Sequence, residues 1–172
     1  ISECDLNAIT CRQLSLAIAG GRRSNISLKS FTLDNCEVED RNLVDIILAL
    51  SVHPQLEELK LVTNGEEENF GRNSCLALES LLRWTTTELK SLHLHDIVDD
   101  EMAMTLATAM CQYRSLDSLY IGDCSIGDVG VDALVSFLKS SDMLKILNLT
   151  RNHSITAGGW KKISSLLESP IS

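Results

Sequence analysis

His93 and His95 stand two residues apart, with Asp96 beside the second and Asp123 further along the chain. In an extended segment, residues two apart point to the same side, so both imidazoles share one face. Two kinds of chemistry use such a set. Imidazole and carboxylate together suit a zinc ion. The same groups beside Tyr120 and Lys60 suit recognition of another protein, because an aromatic ring adds apolar contact while keeping a hydrogen-bonding tip. Histidines on adjacent same-face positions splay apart and no pocket is legible around them, so recognition is preferred and no metal or other cofactor is expected.

Covalent and phosphoryl chemistry find no foothold. The chain has no Gly-rich phosphate loop, no GxSxG and no HExxH. Its six cysteines (Cys4, Cys11, Cys36, Cys75, Cys111 and Cys124) include no CxxC pair and are too sparse for a disulfide scaffold. Free thiols in a reducing compartment follow. A cysteine nucleophile needs exposure and a nearby base, whereas Cys4, Cys36 and Cys124 fall in slots expected to be buried. Cys4 and Cys36 come from adjacent units and are expected to pack as free thiols. The chain is therefore read as a non-enzyme.

The elements that must position these residues repeat. The string Leu-x-x-Leu-x-Leu occurs as Leu28, Phe31, Leu33; Leu56, Leu59, Leu61; Leu89, Leu92, Leu94; Leu116, Leu119, Ile121; and Leu144, Leu147, Leu149. Successive starts are 28, 33, 27 and 28 residues apart. Eight residues after each start stand Cys36, Asn64, Ile97, Cys124 and Asn152, and Ile1, Cys4 and Leu6 match the later half of the unit. Alternation across Leu56–Leu61 predicts a strand, and a three–four spacing such as Leu43, Ile46, Ile47, Leu50 predicts a helix after it. Asp40, Asp99 or Asp100, Asp128 and Thr156 stand where N-caps belong, and His53-Pro54 closes one helix.

These motifs resemble the leucine-rich-repeat superfamily, most closely its ribonuclease-inhibitor-like subclass, over essentially the whole chain. The resemblance implies an α/β solenoid: a curved right-handed βα repeat with a parallel concave sheet and helices on the convex side. It implies one domain over 1–172, with a partial repeat at 1–27 and repeats starting near 28, 56, 89, 116 and 144. The Cys/Asn slot is expected to serve backbone groups turned inward where the chain leaves the strand. Ile97 cannot do this, so an altered turn is expected there, using Asp96 or Asp99.

Other departures are local. The second full repeat carries an excess, Gly65-Glu66-Glu67-Glu68-Asn69-Phe70-Gly71, read as a solvated acidic loop near the concave rim. No polar cap is evident at either end, so the ends are expected to pack on further repeats or another subunit. Trp84 and Trp160 are expected to pack between helices. Of the N-x-S/T sequons at Asn25, Asn148 and Asn152, the last falls on a buried slot, which favours an intracellular (cytoplasmic or nuclear) setting.

With the leucine slots facing inward, three columns cross the concave face: Thr32, Lys60, His93, Tyr120, Asn148; Asp34, Val62, His95, Gly122, Thr150; and Asn35, Thr63, Asp96, Asp123, Arg151. The expected binding residues are Lys60, His93, His95, Asp96, Tyr120, Asp123 and Asn148. A net charge of −9 argues against nucleic acid and an anionic membrane surface and favours a basic protein partner. The longest apolar run, Ile46–Leu50, is too short to span a bilayer. A non-catalytic interaction or scaffolding module is the leading reading. The alternative is a regulator of an enzyme, inhibitor-like or GTPase-activating-like.

Overall fold

A computed structural model describes every residue except 22–26, 64–69, 85–86, 114 and 169–172, together with the side chains of 21, 84 and 167. Helices and strands alternate: α1 (Ala8–Gly21), β1 (Ser30–Asp34), α2 (Asp40–Leu50), β2 (Glu58–Val62), α3 (Arg72–Trp84), β3 (Ser91–His95), α4 (Asp100–Met110), β4 (Ser118–Gly122), α5 (Asp128–Ser140), β5 (Ile146–Asn148) and α6 (Ala157–Glu168). The strands form one sheet in sequence order, and every pairing is parallel. Each helix packs against the next one in sequence. That nearest-neighbour arrangement is the structural counterpart of the repeat.

The leucine slots make the core. Phe31, Leu59, Leu92, Leu119 and Leu147 are register partners across the five strands, and Leu33, Leu61, Leu94 and Ile121 form a second row. Leu59, Leu92, Leu94, Leu119 and Ile121 are completely inaccessible to solvent. Each such side chain stabilises the fold by about 1.5–3 kcal/mol. Helix residues Ile46, Leu78, Leu106 and Leu134 close the same core from the other side.

Beyond the strands the chain turns through a left-handed residue: Asn35 (φ 56), Asp96 (φ 61), Asp123 (φ 55) and Arg151 (φ 58), with Glu3 (φ 51) in the partial first unit. Asn and Asp tolerate this region best after Gly. The turn at Asp96 therefore keeps the left-handed φ of its equivalents, and the altered turn expected from Ile97 does not show in that angle. Ile97 is simply buried. The second unit has Thr63 in this position, a β-branched residue that does not share the positive φ.

The Cys/Asn column behaves as expected where it is described. Asn152 Nδ2 donates to Ile121 O at 2.7 Å and Leu149 O at 3.1 Å, and its Oδ1 accepts from Ile126 N–H at 3.2 Å. Cys124 Sγ donates to Gly122 O at 3.2 Å and Leu94 O at 3.7 Å. Cys36 does the same work more weakly, toward Asp34 O and Ile1 O. Asn64 lies outside the described residues. Cys4 departs from its predicted burial: it is exposed, and no described residue packs over it on the side away from β1.

Of the N-cap assignments, Asp99 on α4 and Thr156 on α6, whose Oγ1 accepts from Gly158 N–H at 3.0 Å, hold, and those of Asp40 and Asp128 need correction. Asp40, Asp100 and Asp128 are the first residues of α2, α4 and α5, and their carboxylates serve the helix of the following unit. Asp40 Oδ1 accepts from Gly71 N–H and Ser74 N–H, both at 2.9 Å. Asp100 Oδ1 accepts from Gly127 N–H at 2.7 Å and Gly130 N–H at 2.9 Å. Asp128 Oδ1 accepts from Thr156 N–H at 2.9 Å. The second unit places Arg72 in this position, so α4 receives no such carboxylate. Asp99 caps α4 instead, accepting from Met102 N–H at 2.8 Å. Helix termini leave orphan donors, and α3, α4, α5 and α6 each find a side-chain acceptor by one of the two routes, whereas Glu39 makes no side-chain cap bond at the start of α2.

Other expectations shift as well. α2 stops at Leu50, ahead of His53-Pro54, and buried His53 instead bonds through Nε2 to Ile18 O at 2.8 Å. Trp160 is exposed on α6 rather than packed between helices, while the Trp84 side chain is outside the described residues. Most of the 65–71 excess is also outside them. Its last two residues are not solvated loop: Phe70 is buried, and Gly71 is tied to Asp40.

Candidate protein-binding face

Strand alternation leaves one face of the sheet to the core and the other open. The register Thr32–Lys60–His93–Tyr120–Asn148 is a continuous column on the open face, and Asp34–Val62–His95–Gly122 runs beside it. With strands about 4.8 Å apart, neighbouring side chains in a column are within reach of one another.

At the centre, His93 and Tyr120 stack. Their ring centroids are 4.1 Å apart and their planes differ by 6°. His93 Nε2 is 2.8 Å from Ser91 Oγ and 3.5 Å from Glu58 Oε1. Burial in the stack pushes the imidazole pKa down, His95 and Lys60 push the same way, and Glu58 opposes them. His93 is thus held as a neutral, flat surface continuous with the Tyr120 ring.

His95 takes a different course. Its Nδ1 lies 3.8 Å from Asp123 Oδ2. It lies over Gly122, where a β-carbon would come within 3.0 Å of its Cε1. Asp123 also receives Arg151 Nη1 at 3.1 Å. Lys60 turns away from the histidines to Asp34, with Nζ–Oδ2 at 3.4 Å. Asn148 Oδ1 accepts from Thr150 N–H at 2.9 Å and the Thr150 hydroxyl at 2.8 Å, folding the strand end. Asp96 sits exposed at the rim in its left-handed turn.

The predicted residues accordingly fall into one coupled centre, His93 with Tyr120, and a charged flank, His95–Asp123–Arg151. Lys60, Asp96 and Asn148 border them. The sequence reading missed a fourth column, Ser30, Glu58, Ser91 and Ser118, two residues before the central one and hence on the same face. The same-face rule that located His95 from His93 applies equally in the other direction. Ser91 and Glu58 are the groups that fix the His93 ring.

The two imidazoles address different carboxylates, Glu58 and Asp123. Among the described residues, no three His, Cys, Asp or Glu groups are placed to share a metal ion. Desolvation pushes the Cys75 thiol up to about 12 and also raises Cys11 and Cys124, which disfavours the thiolate at each.

Solved structures of other proteins share this fold. The tropomodulin C-terminal domain of Caenorhabditis elegans superposes with a TM-score of 0.69 at 15% identity, over 94% of this chain and 92% of that one. The fold is a leucine-rich-repeat solenoid. Leiomodin-1 Actin-Binding Site 2 superposes with a TM-score of 0.53 at 14% identity, over 90% of this chain and 70% of that one. Among curated proteins, leucine-rich repeat-containing protein 73 of Homo sapiens and of Rattus norvegicus is 30% identical over 152 residues, 86% of this chain. NACHT, LRR and PYD domains-containing protein 3 of Macaca mulatta is 30% identical over 143 residues. These likenesses support the leucine-rich-repeat superfamily. The chain spans about half the length (46%) of the first relative and 13% of the macaque one. No family profile matches the chain. No helix among the described residues is long and apolar enough to cross a membrane.

Proposed function

We propose that this solenoid is a non-catalytic protein-interaction module whose binding face is the open side of the sheet, centred on His93 and Tyr120. The observation that carries the reading is the stack itself. It is a half-buried pair of rings, with Ser91 and Glu58 at the His93 imidazole and ion-paired polar groups around it. A preorganised aromatic platform with a polar border loses little side-chain entropy on binding, which is the property of interface hot spots. Leiomodin-1 is described by an actin-binding site on a similar fold, which supports a protein as the ligand class. The helix in every unit and the 27- and 28-residue spacings favour the ribonuclease-inhibitor-like subclass. The acidic balance favours a partner with basic groups near His95–Asp123.

The test is affinity capture from cell extract with wild-type protein and with a His93→Ala/Tyr120→Ala variant. Selective loss of the same partner from the variant supports the reading. Equal recovery from both discards the His93–Tyr120 centre. If the captured partner is an enzyme whose activity changes on binding, the regulator alternative is selected over scaffolding.

A further inference from the structure

Carboxylates on the open face and its border are mostly matched to a cation of the same face. Asp34 holds Lys60 at 3.4 Å, Glu57 holds Lys90 at 3.0 Å, Asp117 holds Lys145 at 3.7 Å and Asp123 holds Arg151 at 3.1 Å. Glu58 differs, as does Asp96 out at the rim: among the described residues no lysine or arginine pairs with either. Only Glu58 stands beside the stacked rings. Its Oε2 accepts from the Ser30 hydroxyl at 2.9 Å, and its Oε1 lies 3.5 Å from His93 Nε2. That nitrogen is already engaged with Ser91 Oγ at 2.8 Å, and burial keeps the imidazole neutral. The ring therefore does not cancel the Glu58 charge. Lys60, two residues on in the same strand, is committed to Asp34. The Glu58 side chain is 45% exposed, so an uncompensated carboxylate lies open at the edge of a flat aromatic surface.

Building on the reading of the open face as the binding surface, we infer that its centre receives an arginine side chain of the protein partner. The guanidinium lies against the His93 and Tyr120 rings and donates to Glu58. Charge complementarity and shape both favour this occupant. A planar cation stacks on an aromatic surface while its fork of N–H groups still reaches a neighbouring carboxylate. Glu58 Oε2 keeps a lone pair beyond the one that takes the Ser30 hydroxyl, so both carboxylate oxygens remain available to that fork. A lysine ammonium would meet Glu58, but it is compact and strongly hydrated and gains less from the rings. An apolar side chain would cover the carboxylate without offering it a donor, which is costly. An anionic group meets Glu58 and a net charge of −9.

The probes are N-acetyl-arginine methylamide, its uncharged analogue N-acetyl-citrulline methylamide, and N-acetyl-lysine methylamide. Each is titrated into isotope-labelled protein while the amide and ring resonances are followed. The arginine probe is expected to shift Glu58, His93 and Tyr120, with the citrulline probe about tenfold weaker because a charge-assisted pair becomes a neutral one. Glu58→Gln, a conservative change on an exposed side chain, should bring the arginine probe down to the citrulline level. No shift at these three residues up to tens of millimolar overturns the inference, as does an arginine response that citrulline or lysine equals. Partner capture separates this inference from the broader reading. Loss of the partner from both Glu58→Gln and His93→Ala/Tyr120→Ala supports arginine recognition. Loss from the double variant with full retention by Glu58→Gln leaves the face as the binding surface and overturns arginine recognition alone. Full retention by both overturns the two together.

Discussion

The Asp100 carboxylate occupies the space that a side chain at Gly130 would need. A β-carbon there would stand 2.6 Å from Asp100 Oδ1 and 2.8 Å from Ile126 Cγ2. The missing side chain is what lets one unit's carboxylate reach the N–H groups of the next unit's helix. Gly159 repeats the relationship with Asp128, at 2.4 Å for the same hypothetical atom.

Gly130→Ala should consequently destabilise the protein, although an alanine inside a helix ordinarily adds about 1 kcal/mol of stability over glycine. Overpacking against Asp100 and Ile126 reverses the sign, with an expected loss of about 1–3 kcal/mol in urea unfolding. A gain in stability would show that the two helices are not held this close.

Asn152→Ala removes the acceptor for Ile126 N–H and the donor to Ile121 O and Leu149 O in a buried turn. Leaving such groups unpaired costs about 1–3 kcal/mol. Urea midpoints for this variant, compared with an exposed control such as Thr156→Ser, measure the difference.

Much of this was legible in advance because aliphatic spacing alone fixes which side of each strand is buried. Leu59, Leu92, Leu119 and Leu147 line one row as their phase requires. The open-face columns follow from the same alternation. What the residue string did not reveal is contact between units. Asp40, Asp100 and Asp128 look like caps of their own helices, and only the stacking of units shows that they serve the next one. Ile97 suggested a distorted turn, yet the left-handed residue before it, not the slot residue, sets the backbone. Trp160 looked like core because large aromatics usually are, but nothing among the described residues covers the last layer.

The His93 pKa is lowered from the ordinary imidazole value of 6.5. On acidification the unfolded chain therefore takes up the proton first, and stability falls as pH drops from about 6.5 to the folded-state value, below which the loss is complete. Its ring resonances should titrate below 6.5 in the folded protein, and Tyr120→Ala should move that midpoint upward by exposing the ring. An unchanged midpoint in the variant would contradict shielding by the stack.

Asp40 moves the other way in charge terms. Burial favours its neutral form, but bonds from Ser74, Gly71 and Asn73 outweigh this and lower its pKa below the ordinary 3.8. Its contribution is present above that value and is lost as pH falls through the lower, folded one. Acid unfolding of Asp40→Asn should lack this component, leaving a shallower decline between pH 4 and the folded-state value, read by circular dichroism at fixed urea.

Hydrogen exchange on the complex with a captured partner tests the proposed binding face most directly. Protection is predicted on β2, β3 and β4, greatest at the amides flanking His93 and Tyr120, with α2 to α5 exchanging as in the free protein. Protection confined to the helices, with the open face of the sheet unchanged, would contradict the account.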